Sequence, residues 1–590
     1  DLVPGAVDRP LKTTRYLGSY SLDIKLPVDG LKFRSNLGID ARTVQDYEFR
    51  SAETSNRGMG TSYARNAVDK YTMFTLENML FYDKTFNDKH TLGVTLLQSI
   101  QEDKKESVNV AMENLPADNL KYYDLGSGLV TNTIGSSMIK WNMASFMGRI
   151  NYNYLGRYLL TVSARYDGSS RLADGHKWVL FPSAALAWRI NEESFMANTS
   201  GWLDNLKLRL GFGKTGNSAV DPYQTKGTLS LIRYPFDNGG TPTIGYAPNA
   251  MANSLLTWET TDQWNLGIDF GVLRGRINGT IDLYMQNTHD LLLKRQLPVV
   301  SGFPDVLSNV GKTRNKGIEV SINSMNINTK DFQWTTDLML SSNKEEIVEL
   351  YNGKNDDIGS KWFIGQPVNV HYDYHKVGIW QNTEADLAEM AKFAANGTDF
   401  APGDIKIEDV NNDYKITDAD KQILGNPRPK LIASMVNTFN YKGFDLSVFL
   451  YASFGAMLYN DIYAVEHCGR NGGVKVDYWT PNNPTNAYPR PSIDEERPIY
   501  ITSTYYEKAD FLRVKTMTMG YTLPKSLTQK FMVEKLRVYF TAQNPFIFTN
   551  YTGIDPEAAK VNAAGNPETN GSGFGTPSIS SWIFGINLTL

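Results

Sequence analysis

The densest run of hard oxygen donors in the chain is DVNNDYKITDAD, residues 409–420. Asp409, Asn411 and Asp413 occupy the first, third and fifth positions of a calcium-type loop; the Lys415 carbonyl falls at the seventh and Asp420 at the twelfth. That spacing aims oxygens at one point and suits Ca2+. Two departures weigh against it: Tyr414 stands where the loop's sharp turn calls for glycine, and Asp420 reaches less far than glutamate. The plain alternative is a hydrogen-bonded polar turn. A second group is aromatic: Trp362, Tyr372, Tyr374 and Trp380, with Tyr351, Tyr459, Tyr463 and Trp479, offers flat apolar faces on which a sugar ring could stack. For each ring singly, loop–loop packing or contact with another protein is the simpler role. His371, Asp373 and His375 in VHYDYHK would make a metal triad only on a helix, and the segment reads as strand or loop. His467 beside Cys468 lacks the further ligands that zinc requires. Nucleophile elbow, phosphate loop and zinc-helix motifs are all missing, so the chain does not read as an enzyme.

Composition narrows the classes further. The 590 residues carry a net charge of −4, which gives no basic surface for nucleic acid. A single cysteine excludes an internal disulfide framework. No run of 18 apolar residues occurs, so no transmembrane helix is expected. Membrane-spanning strands escape that criterion, because about ten alternating residues suffice for each. A mean hydropathy of −0.36 is compatible with a barrel that has a polar lumen and long polar loops.

The elements that would position these residues are strands. Tyr158, Leu160, Val162, Ala164 and Tyr166 share one face of a segment whose other face is Leu159, Thr161, Ser163, Arg165 and Asp167. The pattern recurs roughly seventeen times, near 13–27, 30–45, 70–84, 89–101, 139–154, 157–167, 178–190, 206–215, 258–272, 274–286, 314–325, 331–343, 430–441, 443–454, 510–522, 535–545 and 580–590. Helical periodicity is confined to TEADLAEMAKFAANG within a loop. Short turns alternate with long connections at 101–138, 215–257, 286–313, 343–429, 454–509 and 545–579. That asymmetry is the mark of an outer-membrane barrel, with short periplasmic turns and long extracellular loops. A propeller would repeat at a fixed period, and none is visible. An odd strand count would leave an open edge in lipid, so further strands are expected ahead of residue 1.

Several blocks carry a family resemblance. RYDGSSRLADGHKWVLFPSAALAWRINEESFM, LDNLKLRLGFGKTGN (203–217), LTWETTDQWNLGIDFG (256–271), NVGKTRNKGIEVSI (309–322), GDIKIEDVNNDYKITDADKQILGNPRPK (403–430) and ADFLRVKTMTMGYTLP (509–524) resemble, in order, the SusC/RagA branch of TonB-dependent outer-membrane transporters. The first 140 residues resemble it only in style. In that branch the 409–420 loop resembles DVNGDGKI, so Asn412 and Tyr414 replace two glycines. The resemblance implies an all-β transmembrane antiparallel barrel of about 22 strands around a plug, with residues 1–590 as its C-terminal part and the plug absent from the sequence.

It further implies import of an oligomeric nutrient in a Gram-negative outer membrane. An oligosaccharide is the leading substrate class and an oligopeptide the alternative; a barrel-based surface adhesin or enzyme and a soluble all-β binding protein are the readings from other classes. The implied partners are a SusD-like lipoprotein, the TonB–ExbB–ExbD complex acting through the plug, the N-terminal barrel and plug portion, and further surface lipoproteins. No cofactor is required, Ca2+ apart. Lumen-facing Asp269, Asp282 and Glu319 read as solvated wall charges.

Overall fold

The computed structural model describes residues 5–54, 60–234, 236, 243–460, 475–492, 497–557 and 577–589. Among the described residues, one antiparallel sheet of eighteen strands contains the two-residue Val7–Asp8 and seventeen long strands. They are β1 (Leu11–Lys25), β2 (Leu31–Arg50), β3 (Tyr63–Phe86), β4 (His90–Glu113), β5 (Val130–Tyr154), β6 (Tyr158–Ser169), β7 (Trp178–Arg189), β8 (Leu203–Asn217) and β9 (Glu259–Val272). There follow β10 (Ile277–His289), β11 (Lys312–Asn328), β12 (Phe332–Glu349), β13 (Leu431–Tyr441), β14 (Phe444–Phe454), β15 (Phe511–Thr522), β16 (Lys535–Thr549) and β17 (Ser581–Thr589). Every expected strand is present. β1 to β7 pair with their sequence neighbours, as do β12 to β17.

The chain divides into two compact units: Asp1–Arg189, Arg209–Trp264 and Asn287–Lys312 in one; Ile190–Leu208, Asn265–Gln286 and Thr313–Leu590 in the other.

In the first unit the apolar face of the sheet is the exposed one. Tyr158, Leu160, Val162 and Tyr166 of β6 are 40–45% exposed, whereas the alternate residues are half-buried. A water-soluble sandwich has the opposite pattern, because burying apolar surface is what stabilises it. Aromatic rings mark both ends of the band. Tyr154, Tyr158 and Trp188 stack in series at centroid separations of 6.3 and 6.5 Å, and Tyr166 stacks on Trp178 at 4.9 Å. Such girdles flank the lipid-facing band of membrane barrels.

The RYDGSS motif closes the loop end of this face. Arg165 holds the buried Asp167 at 2.7 Å and donates to Ser145 Oγ at 3.0 Å. Gly168 lies against the Trp178 ring, 2.4 Å from where a Cβ would stand, so no larger residue fits without displacing it. Leu172, Phe181, Val220, Leu256 and Trp258 then form one cluster, with the Trp258 indole donating to the Lys177 carbonyl at 2.8 Å. Two of the family-like blocks, joined by Val220, therefore meet in one small core.

The sheet extends further than alternation indicates. β4 and β5 stay paired from His90 to Glu113, so the expected connection 101–138 shrinks to residues 114–129. Beyond Glu102 the strands carry charge on both faces; Lys140 of β5 meets Glu102 of β4 at 2.9 Å, and Lys104 meets Glu106 within β4 at 2.8 Å. With no buried face there is no period-two signal to read. Other connections contain hairpins of their own, Thr228–Tyr234 with Thr243–Ala250 and Leu292–Gln296 with Asp305–Asn309.

Candidate functional site: a structured loop layer

The second unit carries the loops between β12 and β13 and between β14 and β15, which fold into a layer with its own core. His371–Tyr374 pairs with Lys421–Gly425, Lys376–Ile379 with Ile405–Ile407, and Met457–Tyr459 with Tyr506–Lys508. The helix α1, Glu384–Ala395, is capped by Thr383, whose side chain accepts the Asp386 N–H, as the local periodicity predicts. Ile379, Ile405, Ile407, Trp479, Ile501 and Tyr505 pack together; Trp380, Met390 and Phe393 form a second cluster beside α1.

The expected aromatic residues separate in role. Trp380 is fully buried, packed at 5.9 Å edge-on to Phe393 and capped by Lys406 at 4.0 Å. It is a core residue, which corrects its expected place on a sugar-stacking surface: no ring face is open. Tyr372 packs on Phe363 at 4.8 Å. Tyr374 stands edge-on to Tyr500 at 4.9 Å, and its hydroxyl donates to Asp418 at 3.3 Å; burial pushes that hydroxyl up to about 12. Trp362 is half-buried, paired through its main chain with Asp357. Tyr463, His467 and Cys468 lie outside the described residues.

His371, Asp373 and His375 diverge to separate partners. His371 is buried against the Met457 carbonyl at 2.8 Å, and desolvation holds its imidazole below the usual value. Asp373 accepts from the Tyr506 hydroxyl at 2.9 Å. His375 meets Glu408 at 2.7 Å, and Gln422 donates to the same carboxylate oxygen at 2.8 Å; these two contacts lower the Glu408 carboxyl.

A cleft of about 620 Å³ opens beside these groups, lined by His375, Lys376, Gln422, Asn486, Thr504 and Tyr506 among others. Lys376 donates to the Ala487 carbonyl at 2.5 Å, and burial brings its ammonium down to about 8. Composition and periodicity alone do not reveal this cleft, because its lining comes from five separated stretches of the chain. The lining sets the amides of Gln422 and Asn486, the hydroxyls of Ser503 and Thr504 and the Tyr506 phenol beside apolar Val377, Ile423, Leu424 and Met457. Its polar groups offer a ligand both donors and acceptors.

The 409–420 loop is closed on itself. Asp409 accepts the N–H groups of Asp413 and Tyr414 at 3.3 and 2.8 Å, Asn411 accepts that of Asp413 at 3.1 Å, and Asp413 accepts that of Lys415 at 2.8 Å. Asp420 is fully buried and spans the loop, one oxygen on the Val410 N–H at 3.0 Å and the other on the Thr417 N–H at 2.8 Å. Asn412 and Tyr414 take φ of +59° and +58°, the left-handed conformation that glycine adopts most readily. Among the described residues, no three His, Cys, Asp or Glu side chains converge as a metal cage. Each Asp420 oxygen accepts one main-chain N–H and keeps a second lone pair. Of the wall charges, Asp269 faces Lys207 at 3.5 Å.

The family described as "TonB dependent receptor-like, beta-barrel" matches residues 5–544. The match thus includes the first 140 residues, whose motifs are indistinct. TonB-dependent receptor P3 of Formosa agariphila is 32% identical over 95% of this chain and 56% of its own length. TonB-dependent receptor SusC of Bacteroides thetaiotaomicron is 34% identical over 70% of this chain and 41% of its own. The chain spans little more than half the length of such relatives. Among solved structures, the RagAB peptide transporter shares the fold at a TM-score of 0.82, 22% identity and 98% coverage of this chain, 62% of its own. By strand order, exposed apolar face and sequence match, this chain belongs to the TonB-dependent receptor β-barrel family, in its SusC/RagA branch.

Proposed function

We propose that this chain is the C-terminal barrel portion of an outer-membrane importer that takes up an oligosaccharide in a TonB-dependent manner. The observation that carries the membrane reading is the inverted face of β6, apolar outward and polar inward, with aromatics at both ends. Lipid is the solvent in which that arrangement is favourable. The loop layer supplies the recognition surface, and the amides, hydroxyls and phenol on one part of the cleft wall support the glycan reading. RagAB, described as a peptide transporter, keeps oligopeptides as the second reading.

A SusD-like lipoprotein would cover the loops, with further surface lipoproteins as optional neighbours. TonB, with ExbB and ExbD, would act through a plug carried by the N-terminal portion. Calorimetry on the complete transporter tests the substrate class. Neutral oligosaccharides should bind and lose affinity in Gln422→Ala and Asn486→Ala variants. Binding of oligopeptides alone would overturn the glycan reading.

A further inference from the structure

The turn that carries RYDGSSRLADGHK builds a step in the sheet of the first unit. β6 ends at Ser169, opposite Met143, whereas β5 continues to Val130 with β4 as its partner. The turn is pinned to the edge left beyond Met143. The Ser170 N–H donates to the Asn142 carbonyl at 3.0 Å, and the Ser170 hydroxyl accepts the Asn142 N–H at 2.8 Å. Further along that edge, the Lys140 N–H meets the Tyr223 hydroxyl at 3.2 Å. Tyr223 adopts φ of +72°, uncommon for a bulky residue and a pointer to function where it occurs.

The step holds a cleft of about 410 Å³, lined by Lys140, Trp141, Asp174, Lys177, Tyr223 and Lys226 among others. Two of its lysines already have partners: Lys177 meets Asp174 at 2.5 Å, and Lys140 meets Glu102 at 2.9 Å. Lys226 is different. It acts on Asp174 only through space, and among the described residues no carboxylate pairs with it.

Trp141 joins the cleft to a second cation. It alternates with Met143 and Ser145 and so stands on the polar face, with Arg165 and Asp167. The Arg171 guanidinium lies 4.0 Å from the centre of its ring, a cation–π contact. Elsewhere on this face Arg15, Arg34 and Arg65 hold Asp40, Asp23 and Asp46. Arg171 Nε is buried without a hydrogen-bond partner, and Asp103 and Asp221 act on the guanidinium only through space. A buried cationic donor left unmet is costly, and an oxygen supplied by a ligand removes that cost.

Two cations without a close anion thus adjoin one cleft, together with the half-exposed Tyr223 ring and the hydroxyls of Thr225 and Ser254. We propose that this cleft binds an acidic unit of the imported oligosaccharide, a sugar that carries a carboxylate or a sulfate ester. Lys226 and Arg171 supply charge-assisted hydrogen bonds, Tyr223 offers its face to the sugar ring, and the hydroxyls meet its neutral oxygens. The assignment deepens the oligosaccharide reading above and rests on it.

Calorimetry on the complete transporter, with neutral, uronate-bearing and sulfated oligosaccharides of equal length, tests it. At low salt an acidic oligosaccharide should bind at least about tenfold tighter than the neutral one, the worth of one charge-assisted hydrogen bond. That advantage should shrink as salt rises. It should fall in Lys226→Met and in Arg171→Met, and survive in Lys226→Arg, which keeps the charge. Preference for the uronate or for the sulfate names the anion, and either supports the proposal. Equal affinity for neutral and acidic oligosaccharides would overturn it and leave oligosaccharide import standing. A preference that both methionine variants retain would also overturn it. Binding of no oligosaccharide at all would overturn both readings.

Discussion

Asp555→Ala is expected to release the connection between β16 and β17. Arg513, at the loop-side start of β15, is 4% exposed, as is Asp555. Its guanidinium meets Asp555 at 2.5 Å and Glu557 at 2.5 Å, while Lys515 holds the other Glu557 oxygen at 2.6 Å. Asp555 also accepts the N–H groups of Glu557 and Ser578, each at 2.9 Å. Truncation to alanine strands a buried cation and two main-chain donors. Removing one partner of a buried pair costs about 3–5 kcal/mol, and the surviving Glu557 contact places this case at the lower end, about 3 kcal/mol.

Limited proteolysis under native conditions reads local opening directly, so a loss of that size should speed cleavage within residues 550–557 roughly a hundredfold. Asp555→Asn keeps an acceptor for the main chain and loses only the charge, so its effect should be intermediate. Burial alone would raise the Asp555 carboxyl, but the N–H groups of Glu557 and Ser578 together with Arg513 outweigh it and hold the carboxyl below 3.8. A folded value under the unfolded one means that the stabilisation is complete above about 3.8 and fades as pH falls through the folded value. Cleavage should therefore be flat from neutral pH downward and accelerate only in strong acid, in the wild type but not in Asp555→Asn. Cleavage of Asp555→Ala within a few-fold of the wild type would refute the network's role, as would an equal effect in an Arg513→Met background.

Other perturbations probe the loop layer. Trp380→Ala should destabilise it by about 3–5 kcal/mol, the usual cost of emptying a buried tryptophan site, seen as faster proteolysis of the β12–β13 connection. Asp420→Ala should loosen the same connection, because its carboxylate holds the Val410 and Thr417 N–H groups; protease resistance that rises with added Ca2+ and falls with EDTA would support a calcium loop, and resistance unchanged by either would assign closure to the hydrogen bonds. Lys376, brought down to about 8 by burial from 10.5, favours the folded layer when neutral. Its contribution is full above about 10.5 and declines as pH falls through 8, so Lys376→Met should flatten that slope in thermal unfolding.

Strand positions were legible wherever one face meets a different solvent from the other, as along Tyr158–Tyr166. Legibility failed where both faces meet water. The paired extensions Glu102–Glu113 and Val130–Asn142 carry no alternation, since ion pairs and main-chain bonds hold them. Site residues were harder still. Tyr372 and Tyr374 lie on a short strand whose partner is some fifty residues away in sequence, and Trp380 looks like an exposed loop tryptophan until α1 packs over it. Ser35, Asn78 and Gln98, linked by hydrogen bonds of 2.9 and 2.8 Å, escape a strand-by-strand reading, because each residue is a single exception within an apolar run and only the register joins them. Asn412 and Tyr414, which replace glycines in the family-like pattern, keep the left-handed turn anyway.

The central claim, energised import of an oligosaccharide, is tested most directly by uptake of a fluorescent oligosaccharide into cells that carry the complete transporter. The account predicts accumulation that collapses when the proton gradient is discharged and that unlabelled oligosaccharide, not oligopeptide, competes away. Uptake that survives loss of the gradient, or that oligopeptides alone suppress, would contradict it.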